Sequence, residues 1–236
     1  MNARLPEVAV RTFCALPLAF AVFASAAAGN AAEKNADEKG AADARALVMA
    51  LHPEYCDADL STRFDGLDVI AYPVVWNEAD YQGAPVEHSG TLYQVNCYVG
   101  AYNLVVAFVM NTDDSDGGGL QPVSFAVPDF TLDYAEGDET RTQLAQAPVV
   151  NGFASEALLI NPDFDPDTNT IWIFEKWRGL GDAYSAGKWT LENGRFVLKY
   201  YVIDPIYEAN LDNPPEELSE QNFVLYDAGQ GTAHRP

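Results

Sequence analysis

Apolar and polar side chains alternate most regularly on either side of the dipeptide Asn193-Gly194. Asn-Gly tolerates the two positive φ angles of a type I′ turn, so the flanking residues are predicted to pair as a β-hairpin with a two-residue loop. In that register Glu192 faces Arg195, and the pairs beyond it alternate between the two faces of the sheet. The predicted buried face carries four apolar side chains: Trp189, Leu191, Phe196 and Leu198. The predicted solvent face carries four polar ones: Lys188, Thr190, Glu192 and Arg195.

Similar β patterns recur along the chain at intervals of about ten residues. The further segments rich in β-branched and aromatic residues are predicted as strands: 67–76, 91–100, 102–110, 122–127, 129–134, 146–152 and 222–227. Pro73 confines the first of them to an edge or a bulge, and residues 77–90 are predicted to be a long loop. The predicted fold is therefore mainly β, an antiparallel sandwich or open barrel with a short N-terminal helix.

The short helix is predicted over residues 42–51, which are good helix formers. Its apolar positions place Ala46, Met49 and Ala50 near one face. Pro53 prevents the helix from continuing, because proline lacks the N–H that the helix ladder needs.

The start of the chain has the pattern of a secretory signal peptide. A weakly positive beginning precedes an apolar run and a stretch of small residues, so residues 1–28 are predicted to be the signal. A transmembrane anchor is the alternative, but the apolar run is shorter than the roughly 20 residues that a spanning helix needs. The predicted mature protein is periplasmic or secreted. It has a flexible leader at 29–41, a single mainly-β domain at 42–228 and a polar tail at 229–236.

The composition is strongly acidic, with 35 Asp and Glu against 13 Lys and Arg and a formal net charge of −22. Such a surface repels nucleic acid and anionic membranes, so neither is expected as a partner, and no membrane span is expected after signal cleavage. The charge serves solubility on one interpretation and attracts cations or a basic partner on the other. Whether the partner is a ligand or a protein stays open.

Two cysteines, Cys56 and Cys97, remain once the predicted signal peptide is removed. In an oxidising compartment two leftover thiols are expected to pair. The bond would close a loop of about 40 residues and contribute about 3–4 kcal/mol to the free energy of unfolding. Alternation in the strand 91–100 places Cys97 on the same face as Tyr93 and Val95, so the bond would tie the helix to this strand.

Two segments resemble those of a known family. The first is Cys97-Tyr98-Val99-Gly100-Ala101-Tyr102-Asn103, followed by an apolar strand. The second is Phe164-Asp165-Pro166 with Thr168, which leads to Arg178-Gly179-Leu180-Gly181-Asp182 and then to the hairpin. Together they resemble the exported bacterial family called domain of unknown function 1176, over roughly residues 90–207. The resemblance implies no activity.

The chain departs from the family pattern at two positions. The family has a Cys directly after Gly-Asp and a second Cys beyond the hairpin. Here Ala183 takes the first place, and Ile206 or Tyr207 lies in the region of the second. The resemblance therefore implies the loss of a whole disulfide at this end of the domain.

Catalytic and cofactor motifs are absent from the sequence: there is no G-x-S-x-G elbow, H-E-x-x-H pair, P-loop or dinucleotide-binding glycine pattern. No catalytic residue and no cofactor is therefore predicted, although a site assembled from distant loops leaves no local signal. The expected function is a non-enzymatic binding or interaction module of the cell envelope or the medium. The alternative is a cell-envelope hydrolase or another enzyme.

One acidic turn carries oxygen ligands at alternate positions, as a calcium loop does: Asp163, Asp165, Asp167 and Asn169. Thr168 stands where the tight-turn glycine of a calcium loop would be, and Phe174 where its closing glutamate would be. A plain hairpin turn is the preferred interpretation, so no metal site is predicted, and a calcium-dependent module is a third functional alternative.

Four residues of the family-like segments are candidates for binding a ligand: Arg178, Asp182, Tyr102 and Asn103. Arg178 and Asp182 flank two glycines, whose unusual backbone angles could present both charges at a turn. The competing interpretation is an Arg-to-Asp clasp that holds the turn. Tyr102 and Asn103 would, on the same structural interpretation, end one strand and start the next.

Overall fold

The computed structural model describes residues 24–56, 69–112, 118–212 and 221–230. The chain divides into two compact units at the boundary between residues 37 and 38, and every strand lies in the second unit. The predicted signal peptide at 1–28 and the predicted tail at 229–236 lie mostly outside the described residues. No helix among the described residues is long and apolar enough to cross a membrane.

The fold is mainly β, as predicted, and its antiparallel sheets do not close into a barrel. In chain order the strands are β1 Val69–Ala79, β2 Pro85–Val99, β3 Leu104–Thr112, β4 Leu120–Pro122, β5 Phe125–Thr131, β6 Val149–Glu156, β7 Leu158–Ile160, β8 Pro162–Asp165, β9 Thr170–Lys176, β10 Tyr184–Glu192, β11 Arg195–Asp204 and β12 Phe223–Asp227. The helix α1 is Ala24–Leu51, and Glu208–Asn210 forms a 3₁₀ turn.

The helix is longer than predicted. It includes the residues 29–41, which were predicted to be a flexible leader, because Ala, Glu and Lys there have high helix propensity. The predicted apolar face was wrong for two of its three residues, since only Met49 packs against the core. Ala44 and Val48, four residues apart, are the buried positions, while Ala46 and Ala50 are exposed. The apolar run 46–51 satisfies more than one helical stripe, so periodicity alone could not select the face.

The first sheet has the order β1-β2-β3-β4, with β7 also paired to β3. Pro73 lies in β1 at the sheet edge, as predicted. The loop predicted at 77–90 is wrong, because β1 and β2 pair there in continuous register out to Ala79 and Pro85. Asp80 closes the short turn by accepting hydrogen bonds from the backbone N–H groups of Gln82 and Ala84, both at 2.8 Å. An Asx-type turn of this kind allows a compact reversal without Asn-Gly.

Both faces of β2 are buried along residues 92–97. One face packs with Ala44 and Val48 of α1 and includes Cys97, as predicted. The disulfide Cys56–Cys97 then ties the chain just beyond α1 to this strand, which confirms the predicted bond. The other face of the sheet lies in the main core.

The second sheet has the order β12-β11-β10-β9-β8. Its central hairpin has the predicted register, with Glu192 opposite Arg195. Asn193 and Gly194 have φ angles of 48° and 71°, as a type I′ turn requires. The predicted buried face is confirmed for all four apolar side chains: Trp189, Leu191, Phe196 and Leu198.

A third, two-stranded sheet pairs β5 with β6. The strands predicted at 122–127 and 129–134 are instead one strand, β5, preceded by the three-residue β4. Pro128 does not break β5, since a strand of a two-stranded sheet has an unpaired edge where a missing N–H is tolerated. Phe125 of β5 is fully buried and lies between rings of both larger sheets.

The hairpin register makes a testable distinction between its two faces. Phe196→Ala removes a buried ring and is expected to lower the free energy of unfolding by about 3–5 kcal/mol. Thr190→Ala, on the solvent side of the hairpin, is expected to cost less than about 1 kcal/mol. Denaturant titrations of both variants measure the difference, and a larger loss for Thr190→Ala would contradict the register.

Candidate functional site

The predicted site residues Arg178 and Asp182 lie on one turn between β9 and β10. The backbone N–H of Trp177 donates to the carbonyl of Ala183 at 2.9 Å, which closes the turn. Arg178 donates two hydrogen bonds to Asp182, one from Nε to Oδ1 at 2.7 Å and one from Nη2 to Oδ2. This pairing holds the pKa of Asp182 below its usual range and raises that of Arg178.

Arg178 also contacts a second segment, which contains Tyr207 and Asn210. Nη1 donates to Oδ1 of Asn210 at 2.8 Å. The guanidinium also lies over the ring of Tyr207, 4.4 Å from its centroid, a cation–π contact. The backbone N–H of Ala209 donates to Asp182 at 3.1 Å. The guanidinium therefore makes three hydrogen bonds and a ring contact within the protein, and its charge is already paired.

The other two predicted site residues lie against the same turn. Asn103 donates from Nδ2 to the carbonyl of Lys176 at 2.9 Å, and it accepts from Nδ2 of Asn161 at 2.8 Å. Tyr102 lies so close to Gly179 that a Cβ there would be 3.3 Å from the Tyr102 ring. The two family-like segments thus meet at one end of the domain.

These contacts give the four residues a structural role: they dock the β2–β3 turn onto the end of β9 and clasp the β9–β10 turn. This is the Arg-to-Asp clasp that the sequence offered as the alternative to ligand binding. That the four residues also bind a ligand stays a prediction, because the described contacts already use the arginine, the aspartate and the asparagine.

The positions of the missing cysteines also come together. Tyr184 pairs with Asp204, so Ala183 lies beside the residues that follow β11. Ala183 and Ile206 are both fully buried. Buried apolar residues thus occupy both positions, and the loss of a disulfide here stays what the resemblance implies.

The acidic turn that resembled a calcium loop is a hairpin turn between β8 and β9. Asp165 accepts from the backbone N–H of Asp167 at 3.0 Å and from the hydroxyl of Thr168 at 2.7 Å. Asn169 has a positive φ of 50° and donates to the carbonyl of Val75 at 2.9 Å. Both carboxylate oxygens of Asp165 thus serve the turn, and Asn169 ties it to β1.

The second sheet has a surface of exposed apolar side chains that was not predicted from the sequence. We call this surface the outward face. It is formed by Trp172 and Phe174 of β9, Val197 of β11 and Val224 of β12, which are 45%, 42%, 38% and 50% exposed. At Ala44 and Val48, α1 packs on the outer side of the first sheet, and α1 is the only α-helix in the described part of the chain. The outward face has no such cover.

Two neighbours complete the outward face. Tyr184 packs against Phe174 with ring centroids 4.7 Å apart. Nζ of Lys188 lies 4.6 Å from the centroid of the Trp172 ring, and Lys188 is the register partner of Trp172. The face therefore carries its aromatic rings on β9 and β10, and the cation Lys188 is held against one of them.

The sequence signal for this face was present but ambiguous. In residues 170–176 the inward side chains Ile171 and Ile173 alternate with Trp172 and Phe174, and all four are apolar. A continuous apolar run reads as a strand buried on both sides. Only the tertiary arrangement shows that the side with Trp172 and Phe174 is exposed to solvent.

A smaller feature is a cavity of about 370 Å³ beneath β7 that contains two carboxylates. Glu156 and Glu175 both line it, and its other walls are mainly apolar. Burial raises the pKa of Glu175, and the negative charge of Glu156 raises it further. Tyr201 also lines the cavity, and burial raises its pKa to about 12.

Comparison with known proteins gives the family. The model of the family described as "Protein of unknown function (DUF1176)" matches residues 21–206. The chain therefore belongs to this family, as its two motif segments suggested. No curated protein and no solved structure matches the chain.

A buried carboxylate at the end of β11 gives a testable pH dependence. Asp204 is 2% exposed, and burial raises its pKa to about 6, assisted by the nearby charges of Glu208 and Asp182. In the unfolded chain an aspartate titrates near pH 3.9, so between about pH 4 and 6 the folded protein binds the proton more tightly. This group's contribution to stability therefore falls as the pH rises through that window and is constant above it.

Asp204→Asn keeps an oxygen that can accept from the backbone N–H of Ile206, at 3.1 Å in the native protein, and removes the charge. We expect the variant to gain about 1–3 kcal/mol over the native protein at pH 7.5 and almost nothing at pH 4. Denaturant unfolding at both pH values measures the gain. The same gain at both values would contradict the assignment.

Proposed function

We propose that this protein is an exported, non-enzymatic interaction module that binds a partner protein through the outward face. The single observation that carries the proposal is the exposure of Trp172, Phe174, Val197 and Val224 together on one sheet surface. Monomeric proteins seldom leave apolar side chains grouped in this way without a functional reason.

The chemistry of the face favours a protein over a carbohydrate. Aromatic side chains are enriched at the centres of protein interfaces, where they supply much of the binding free energy. The face also carries the aliphatic residues Val197 and Val224, which offer no hydrogen bonds to sugar hydroxyls. A partner surface with apolar pockets matches this composition.

Charge indicates the kind of partner. Two cations near the face are already engaged: Lys188 lies over Trp172, and Lys199 pairs with Glu192 at 2.7 Å. The net charge of −22 acts at longer range, so it repels a second copy of the chain and attracts a basic partner. We therefore assign the face to a different protein of opposite charge.

Two observations support the exported location within this proposal. Residues 1–28 have the pattern of a secretory signal peptide. Cys56 and Cys97 form a disulfide, and disulfides persist mainly in oxidising compartments.

The alternative, a cell-envelope enzyme, would use Glu156 and Glu175 as an acid–base pair. Burial and a like charge are sufficient to raise the pKa of Glu175 without any catalytic role. The outward face has no comparable explanation within the fold, so binding is the better supported function.

Site-specific photo-crosslinking in the native cell envelope tests the proposal. A photoreactive amino acid at Phe174 is expected to give one dominant adduct with another protein, because this exposed side chain belongs to the face. The same amino acid at Tyr81, which is 95% exposed on the β1–β2 turn, is expected to give no matching adduct.

A matched pair of valine substitutions supplies the control. Val224→Glu places a charge on the outward face and is expected to abolish the adduct, whereas Val75→Glu, at an equally exposed valine of β1, is expected to leave it unchanged. Matching adducts from positions 174 and 81, or an adduct that survives Val224→Glu, would contradict the proposal. An adduct of twice the chain's mass would identify a second copy instead.

A further inference from the structure

Proline is present in most edge strands of the described part of the chain, but not in β6. Proline has no N–H, so it makes an edge strand a poor template for pairing with another chain. The prolines are Pro73 of β1, Pro122 of β4, Pro128 of β5 and Pro162 of β8. The other edge strands, β7 and β12, have only three and five residues, whereas β6 has eight. Among the described residues, β6 is therefore the longest edge strand without this protection.

The pairing of β5 with β6 shows which backbone groups of β6 point away from the sheet. Pro128 of β5 is the register partner of Phe153. Because Pro128 cannot donate, this pair exchanges no hydrogen bonds, and the ladder runs through the pairs on either side of it. Hydrogen-bonded and non-hydrogen-bonded pairs alternate along an antiparallel ladder. The N–H and C=O groups of Phe153 and of Ser155 therefore point away from β5, and we call them the free edge.

The free edge is accessible, and the described residues leave it unpaired. Every residue of β6 except Gly152 is exposed, and the Phe153 side chain is 53% exposed. No backbone hydrogen bond joins Phe153 or Ser155 to a described residue outside the β5–β6 sheet. The one charged residue of β6 is Glu156 at its end, so no lysine or arginine of this strand obstructs a further strand.

A cavity of about 540 Å³ lies next to the free edge. Phe153, Ala154 and Ser155 all line it, and its walls include the buried apolar side chains of Met110 and Phe196. When a peptide adds to a sheet edge, main-chain hydrogen bonds give affinity and pockets for alternate side chains give specificity. Both elements of this recognition mode are therefore present at β6.

We propose that the free edge of β6 binds an extended peptide segment of another protein, which adds a third strand to the β5–β6 sheet. The backbone of the segment exchanges hydrogen bonds with Phe153 and Ser155, and one of its apolar side chains enters the cavity. The exposed Glu156 and the net charge of −22 favour a basic segment over an acidic one and over a second copy of this chain. The site shares no residue with the outward face, so it is independent of the proposed function.

Amide hydrogen exchange tests the inference, with the synthetic peptide Lys-Thr-Val-Thr-Val-Thr-Lys as the probe. The amides of Phe153 and Ser155 are expected to exchange rapidly in the free protein and at least about tenfold more slowly with saturating peptide. The amides of Gly152 and Ala154, which the ladder directs to β5, are expected to keep their exchange rates. NMR spectroscopy resolves the four amides separately.

Modified peptides separate backbone pairing from charge. With both lysines replaced by glutamate, the peptide is expected to bind at least about tenfold more weakly, measured by fluorescence anisotropy. One further peptide is N-methylated at the threonines and another at the valines. These two cover both orientations of the strand, and one of them is expected to lose binding because its hydrogen bonds to β6 are blocked.

Two proline variants form a matched pair. Ser155→Pro removes an N–H of the free edge while leaving the ladder to β5 intact, and it is expected to raise the Kd about tenfold or more. Val75→Pro removes an N–H from the outer edge of β1, two residues from Pro73, and is expected to leave the Kd unchanged. Val224→Glu, on the outward face, is also expected to leave it unchanged. Circular dichroism confirms that each variant is folded.

Four results would overturn the proposal. The first is slow exchange of the Phe153 and Ser155 amides in the dilute free protein, which would show an edge that is already paired. The second is protection without peptide that grows with protein concentration, which would identify a second copy. The third is a Kd that neither N-methylation nor Ser155→Pro changes. The fourth is no change in exchange at about 1 mM of the unmodified peptide.

Discussion

The contact between Phe125 and Trp189 holds the three sheets together. Phe125 belongs to the small β5–β6 sheet, and its ring lies 5.8 Å from Phe108 of the first sheet and 5.6 Å from Trp189 of the second, centroid to centroid. The indole of Trp189 donates to the carbonyl of Ala126 at 2.9 Å, so the same side chain also binds the β5 backbone. The third sheet thus adds to the direct contacts between the two large sheets, such as the hydrogen bond from Asn169 to Val75.

The features that could be predicted from the sequence are those set by local backbone geometry or by composition. The Asn193-Gly194 turn fixes a register through local backbone geometry, and the buried face followed correctly from it. The disulfide followed from the cysteine count alone. The helix face and the β1–β2 hairpin did not follow: the apolar run of α1 fits several stripes, and the turn at Asp80 depends on a side chain that caps its own backbone.

The candidate sites likewise include residues that the sequence predicted and a surface that it did not. The family-like segments predicted four residues, and the structure brings them together around the β9–β10 turn, where Arg178 and Asn103 are hydrogen-bonded within the protein. The outward face was not predictable, because it depends on which side of a strand is covered.

The two large sheets differ in one respect that carries the functional account. The first is covered by α1 on its outer side, whereas the second presents aromatic rings to solvent. Hydroxyl-radical footprinting tests this account most directly by comparing the purified protein with the protein in the cell envelope, its proposed location. The account predicts that Trp172 and Phe174 are oxidised readily in the purified protein and several-fold less in the envelope, while Tyr81 reacts equally in both. Equal oxidation of Trp172 and Phe174 in the two preparations would contradict it.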